Sequence, residues 1–294
     1  MSNHCRSQLL FDLRAPIYSK QMQHSVQYAP FVKDDENKGF DMHVHSTASD
    51  GRTTPKTLAK YLNKNGLSAA ITDHNVISGV KKALDYSENI IPGIEVSALE
   101  GPHILVYFET YRDLASYYAA SIQDHRGKCP HMAVDISTEK VIDDAKNAGG
   151  FVIAAHPYGY GVSVRGVMKG IEAGVIDSSV AEELDGLEVI CSGMSMRQNM
   201  RAERYAEKNG ACMTGGSDAH VLWEVGRAVS VGYANQTPLE FLEDVRRRKT
   251  GVCGVNRSSG QNLLMGACMT PGYIPYVAPA MRIHARQSLM RMRS

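Results

Sequence analysis

One recurrence constrains this chain more than any other feature. Short apolar runs are spaced along it, and five of them end on histidine or an acid. Phe40–His45 ends in His43-Val44-His45, and Ala69–Thr72 leads into Asp73-His74. Ile90–Val96 carries Gly93-Ile94-Glu95, and Phe151–Ala155 leads into His156-Pro157. Ala211–Gly215 leads into Ser217-Asp218-Ala219-His220. Three further runs, His103–Phe108, Gly186–Ile190 and Val229–Tyr233, complete a set of eight expected strands. Helical patterns lie between them. Thr54 is an N-cap with Pro55 at the first helical position and Gly66 as the stop. Ser137 opens a helix that stops at Gly149-Gly150, and Met194–Asn209 ends at Gly210. Thr237-Pro238-Leu239-Glu240 is a capping box. Strands separated by helices predict a parallel sheet of β-α-β units, open or closed. An open sheet places a site at one switch point, whereas a barrel gathers it from many strand ends. Ligand-type residues at five strand exits favour the barrel.

The geometry of each exit is simple. Side chains alternate along a strand, so His43 and His45 point to one side, as do Asp218 and His220. A donor set of His, Asp and Glu without Cys suits zinc, manganese or iron. One Glu can bridge two ions, so two or three cations are expected. Taken singly, His43-x-His45 is weak, Glu95 could be a loop residue and His156 a core histidine. The joint pattern decides the matter. Six of the eleven histidines (His43, His45, His74, His103, His156 and His220) fall at strand ends or starts. Burying so many polar rings without a partner would cost several kcal/mol. His4, His24, His125, His131 and His284 lie outside the pattern and read as surface or packing residues.

Composition adds boundaries. With 294 residues, 43% hydrophobic, the chain can build a sizeable core and is not a disordered one. No apolar run approaches the roughly 20 residues of a membrane helix. Arg6, Asp12, Arg14 and Lys20 do not read as a signal peptide, so a cytoplasmic protein with no membrane partner is expected. The six cysteines form no C-x-x-C pair and read as reduced thiols. After Asp244 there is no carboxylate but nine Arg or Lys, including Arg257, Arg282 and Arg286. Such an end can attract a phosphorylated substrate or nucleic acid, or pair with the acidic body. Lys33–Gly39 reads as a linker. The expected organisation is an N-terminal extension (1–38), a barrel domain (39–254) and a basic C-terminal extension (255–294).

These motifs also carry a resemblance. Asp41-Met42-His43-Val44-His45-Ser46, Ser49-Asp50-Gly51, Thr72-Asp73-His74-Asn75, Gly93-Ile94-Glu95-Val96-Ser97, His103-Ile104-Leu105, Ala155-His156-Pro157 and Gly216-Ser217-Asp218-Ala219-His220 occur in the order of the PHP (polymerase and histidinol phosphatase) family. The chain resembles that family from Phe40 to about Gly254. The resemblance implies an α/β fold, a distorted (β/α)7 barrel with its metal site at the C-terminal ends of the strands. It implies one metal on His43, His45, Glu95 and Asp218. Glu95 would bridge to a second, on His103 and His156. Asp50, His74 and His220 would hold a third, although some members have His where this chain has Asp50. Asp73 reads as an orienting residue. Glu188 lines the site or makes a rim salt bridge.

The chemistry implied is hydrolysis of a phosphate ester by a metal-bridging hydroxide. Two or three divalent ions (Mn, Zn or Fe) would be the cofactors. The substrate would be small: a nucleotide, a short oligonucleotide or a histidinol phosphate type, with no stable nucleic-acid complex. Without a third metal, Asp50 or His220 becomes free for acid work. A phosphate calls for arginine at the mouth, and Arg165 and Arg197 are the leading candidates, with Arg227 behind them. Arg165 follows the Tyr158-Gly159-Tyr160-Gly161 loop. Two other readings stand beside this one: an amidohydrolase-type metal hydrolase, and a non-catalytic binding module. The tail is expected across the barrel bottom or against a neighbouring subunit.

Overall fold

Each of the eight apolar runs forms a strand, within one residue of its expected ends except that β2 starts three residues before Phe40. The computed structural model describes residues 25–127, 129, 131–159 and 164–293. The first 24 residues, with His4, Cys5 and His24, and the Tyr160-Gly161 end of the loop before Arg165 lie outside the described residues.

In chain order the strands are β1 (Val26–Gln27), β2 (Asn37–Val44), β3 (Ser68–Ile71), β4 (Ile90–Ser97), β5 (His103–Tyr107), β6 (Phe151–Ala154), β7 (Gly186–Cys191), β8 (Cys212–Gly216), β9 (Ala228–Tyr233) and β10 (Gly251–Gly254). The α-helices are α1 (Pro55–Asn65), α2 (Ser78–Leu84), α3 (Tyr111–Tyr117), α4 (Thr138–Asn147), α5 (Val167–Glu172), α6 (Val180–Glu183), α7 (Met196–Asn209), α8 (Pro238–Arg246), α9 (Ser259–Tyr273) and α10 (Val277–Arg293). β2 starts inside the stretch read as a linker. The Thr54 cap and the left-handed Gly66 stop are both formed on α1. Leu58 and Leu62 give α1 its buried face, each contributing about 2 kcal/mol.

The strands make one sheet in the order β1-β10-β9-β2-β3-β4-β5-β6-β7-β8. The expected parallel sheet is only partly present. β2-β3-β4 and β6-β7-β8 are parallel, whereas β5 is antiparallel to both neighbours and β9 to β2 and β10. The reason at β4–β5 is the length of the link: residues 98–102 are too few for the crossover a parallel pair needs. The fold is therefore a mixed α/β one with a curled ten-stranded sheet rather than a regular β/α repeat. The curl brings the β8 exit back to β2. Val44 and Ala219 form a parallel bridge, and His45 N donates to Ala219 O at 2.9 Å.

Two apolar layers follow from the alternation. On β5, Ile104 and Val106 face the outer helices, whereas Leu105 and Tyr107 face the interior. β6 repeats this, with Val152 and Ala154 outside and Phe151 and Ile153 inside. The interior cluster fills the N-terminal end of the parallel strands. α8 closes it with Phe241, Leu242 and Val245, and the Phe241 ring stacks on Phe40 at 3.6 Å. The bottom is thus taken by α8, and the expectation that the tail packs there is corrected. α9 lies instead over the C-terminal strand ends, where Tyr273 Oη donates to Asp50 Oδ2 at 2.5 Å. No helix among the described residues is long and apolar enough to cross a membrane.

Candidate metal centre

β2 aims the first two candidate ligands by an irregularity. Phe40 and Met42 face the interior cluster, so strict alternation would turn His43 and His45 outward. The register of β2 on β3 shifts between Asp41 and Val44, and this bulge moves the alternation by one residue. Val44 then faces the outer layer, and both imidazoles face the mouth. Their Nε2 atoms stand 3.1 Å apart.

Glu95 is the hub. Its Oε1 lies 3.3 Å from His43 Nε2, 3.0 Å from His103 Nδ1 and 3.2 Å from His156 Nε2. Its Oε2 lies 3.4 Å from His45 Nε2 and 2.9 Å from His74 Nδ1. Asp218 Oδ1 is 3.6 Å from His43 Nε2 and 3.3 Å from His45 Nε2. Asp50 Oδ2 is 3.3 Å from His220 Nε2 and 3.7 Å from His74 Nε2. All nine ligand candidates from the sequence converge here. Three groupings are tightest: His43, His45 and Asp218; His74, Glu95 and His103; and His45, Asp50, His74 and His220. His74 and His45 therefore each border two groups, a sharing that the motif order did not reveal.

Electrostatics keeps the carboxylates ionised and His45 and His103 neutral, and it favours the protonated form of His43 and His220. Burial works against the charge on Glu95, yet the facing His74, His43 and His103 hold its carboxyl well below the usual range. Asp50 and Asp218 are lowered likewise, against burial, by His220 and His74 in one case and by His43 and His45 in the other. Burial pushes His103 down to about 3 and, helped by His220, His45 down to about 4. His43 is raised because Glu95, Glu188 and Asp218 outweigh its burial. His220 rises to about 9, against burial, because Asp50 lies beside it.

The donor set fits divalent cations. Ligand atoms about 2.1 Å from a shared ion stand roughly 3.4 Å apart at a tetrahedral angle. The spacings from 3.1 to 3.6 Å among His43, His45 and Asp218 match that. Buried His45 Nδ1 makes no hydrogen bond among the described residues, which is costly unless an ion or water meets it.

A second set of acids holds the first in place. Glu188 Oε1 is 3.1 Å from His43 Nδ1, and its Oε2 accepts from His156 N at 2.7 Å. Of the two readings left open for Glu188, the structure gives the inward one, as the orienting partner of His43. Asp73 accepts from Ser46 N and Ser46 Oγ at 2.7 Å and from Ser49 Oγ at 2.6 Å, fixing the turn that carries Asp50. Asp41 accepts from Ser217 N at 2.9 Å and Gly226 N at 2.7 Å, joining β2 to the Asp218 turn. Gly216 is required by space: a Cβ there would lie 2.4 Å from His43 Cβ and 2.5 Å from Glu188 Oε1. Strain gathers here as well. Asn75, His156 and Asp218 have φ of 52°, 27° and 51°, a region that side chains other than glycine rarely adopt.

The arginines divide. Arg165 lines the cavity above the cluster together with His103 and His156. Arg197 sits exposed on the first turn of α7, because Asn199, Ala202 and Ala206 form that helix's buried face; it lines none of the cavities described here. Arg227 donates to Asn256 O at 3.1 Å and Gln261 Oε1 at 2.9 Å, at the foot of α9. Sequence reasoning missed Arg257. This buried residue pairs with Glu224 at 2.7 Å, donates to Ser217 O and Asp218 O, and lines the cavity. It also missed His131 and His284, which line an adjoining cavity with His103 and Arg165.

Comparison with known proteins extends the picture. Residues 196–250 match the family model described as PHP-associated. An uncharacterised protein of Methanocaldococcus jannaschii is 26% identical over 196 residues, 64% of this chain and 68% of that protein. The 5′-3′ exoribonuclease of Salmonella typhimurium is 35% identical over 71 residues, 22% of this chain and only 24% of its own length. In fold, the chain is similar to a protein of Bifidobacterium adolescentis assigned provisionally as a metal-dependent phosphoesterase. The TM-score is 0.51 at 23% identity, covering 74% of this chain and 97% of that one. It is also similar to a lesion-specific endonuclease of Pyrococcus furiosus, with TM-score 0.55 at 16% identity, covering 74% and 57%. The motif order read from the sequence and the segment matched by the family model agree: over residues 196–250 the chain is similar to the PHP-associated family.

Proposed function

We propose that the protein is a metal-dependent phosphoesterase acting on a small phosphorylated molecule of the nucleotide, short-oligonucleotide or histidinol phosphate type. The observation that carries this reading is the convergence of six imidazoles and two carboxylates in a chain of contacts of 3.7 Å or less through Glu95 and Asp50. His43, His45, Glu95 and Asp218 would hold one divalent ion, and Glu95, His103 and His156 a second. Asp50, His74 and His220 would hold a third. Manganese, zinc and iron all suit this donor set. When bound, such ions supply an activated water and neutralise charge on the phosphate.

The chain's own groups do the rest. Glu188 keeps His43 turned so that Nε2 faces the centre. Arg165 at the rim offers a planar donor for phosphate oxygens. Arg257 holds the carbonyls of Ser217 and Asp218 at 2.9 and 2.6 Å, and so fixes the Asp218 turn. An arginine at the rim is what phosphate needs and amide hydrolysis does not, which favours this reading over an amidohydrolase.

The test is a turnover screen with manganese loaded. It would compare p-nitrophenyl phosphate, nucleotides carrying 3′ or 5′ phosphates, histidinol phosphate, and simple amides and lactones. Phosphate release, with at least one equivalent of metal per chain, is expected. Hydrolysis of amides or lactones alone, or a metal-free protein after purification without chelator, would overturn it.

A further inference from the structure

The tail closes one side of the mouth. Asn262, Met265, Met269 and Tyr273 recur along one face of α9, and all four line a cavity of about 540 Å³ whose floor is the ligand cluster. Met265 is only 7% exposed, whereas Leu263 on the opposite face is 77% exposed. Three contacts hold the helix in this position. Tyr273 donates to Asp50, the Arg52 guanidinium donates to Cys268 O at 3.0 and 2.8 Å, and the His131 ring meets Tyr273 and Tyr276 edge-on. The first two tie α9 to the loop that follows β2, and the third ties its end to the segment before α4.

We propose that α9 is a specificity wall, which limits the site to a small phosphorylated molecule or a chain end and excludes a polymer lying across the mouth. The inference rests on the phosphoesterase reading above. A cavity of this size takes one ligand of nucleotide size. Its two ends differ in chemistry. Beside the cluster, Arg165 presents positive charge to a phosphate. Under α9, the two thioethers present an adaptable apolar surface and Asn262 an amide, which suit the flat, partly polar group esterified to that phosphate. A duplex running over the strand ends would have to displace the helix and break its tethers.

Two substitutions test this. Gly266 lines the same cavity, and a Cβ there meets nothing within 4 Å, so Gly266→Phe narrows the cavity without disturbing the helix. Arg52→Ala releases the far end of α9, and Leu263→Ala on the outer face is the control. Substrates are p-nitrophenyl phosphate, adenosine 5′-monophosphate and a long 5′-phosphorylated single-stranded oligonucleotide, with metal content measured for every variant. Gly266→Phe is expected to raise KM for the nucleotide about tenfold more than for p-nitrophenyl phosphate. Arg52→Ala is expected to shift kcat/KM about fivefold toward the oligonucleotide. Leu263→Ala should leave all three unchanged. If the wild type turns over p-nitrophenyl phosphate and neither variant changes the ratio between substrates, the wall is overturned while the phosphoesterase reading stands. If the metal-loaded wild type hydrolyses no phosphoester, both readings fall.

Discussion

The strand exits and the C-terminal helices meet at the same mouth but are built on opposite terms. At the exits, the clustered histidines and acids are almost wholly buried, and Glu188 behind them fixes the His43 ring and the His156 backbone. On the tail, Leu263, Met281 and Met292 are 77%, 67% and 74% exposed, and α9 rests on a few polar tethers. A ligand set fixed by strand register is organised before any ion arrives. A helix held by hydrogen bonds worth about 1 kcal/mol each is detachable. Ion binding should therefore belong to the barrel and the shape of the mouth to the tail.

Glu95→Gln strikes the barrel hardest. It removes the charge shared by five histidines, and should abolish metal retention and lower turnover on the order of 10³-fold. Retained metal, measured by elemental analysis, would show that the groups are held independently. Arg257→Ala tests the junction of the two regions, where the tail's only buried arginine among the described residues meets Glu224. Leaving that carboxylate unpaired should cost about 3–5 kcal/mol in denaturant unfolding. A cost near that of a surface pair would mean that the tail and barrel are hardly coupled there.

Glu188→Gln keeps the fold's volume but loosens His43, and metal affinity by calorimetry should fall about 10–100-fold. Chelation should lower Tm by several degrees, because bound ions stabilise only the folded state. Calorimetric scans with and without added manganese would read this. Tyr273→Phe should do least: metal content unchanged, and faster proteolytic cleavage within α9. A loss of metal as large as that of Glu188→Gln would place the tail inside the centre and erase the contrast.

How much of this was legible in the sequence follows from the range of the interactions. Apolar runs bounded by turn residues mark strands locally, so β2 to β9 could be placed. β1 and β10 could not. They span 2 and 4 residues, two of them glycines, and exist only because Val26 and Gln27 pair with Val252 and Cys253. The clustered histidines and acids could be singled out because an imidazole or an acid at a strand exit is costly without a purpose. Arg165 and Arg197 looked alike in the sequence, since nothing local says which faces the mouth; the buried side of α7 decides against Arg197. Arg257 read as one more charge in a basic tail. Its position three residues beyond β10 and directly before the Ser258 cap was the available signal. The place of α9 depends on contacts across some 220 positions of sequence, and no pattern within the helix announces them.

The irregularity in β2 has an evolutionary corollary. Losing a single residue between Asp41 and Val44 would restore a regular pleat and turn both imidazoles away from the mouth, leaving a chain that folds but is blind to metal. Aligning distant relatives by hydrophobic rhythm alone would slip by one position at this point, so such alignments are better anchored on the His-x-His pair itself.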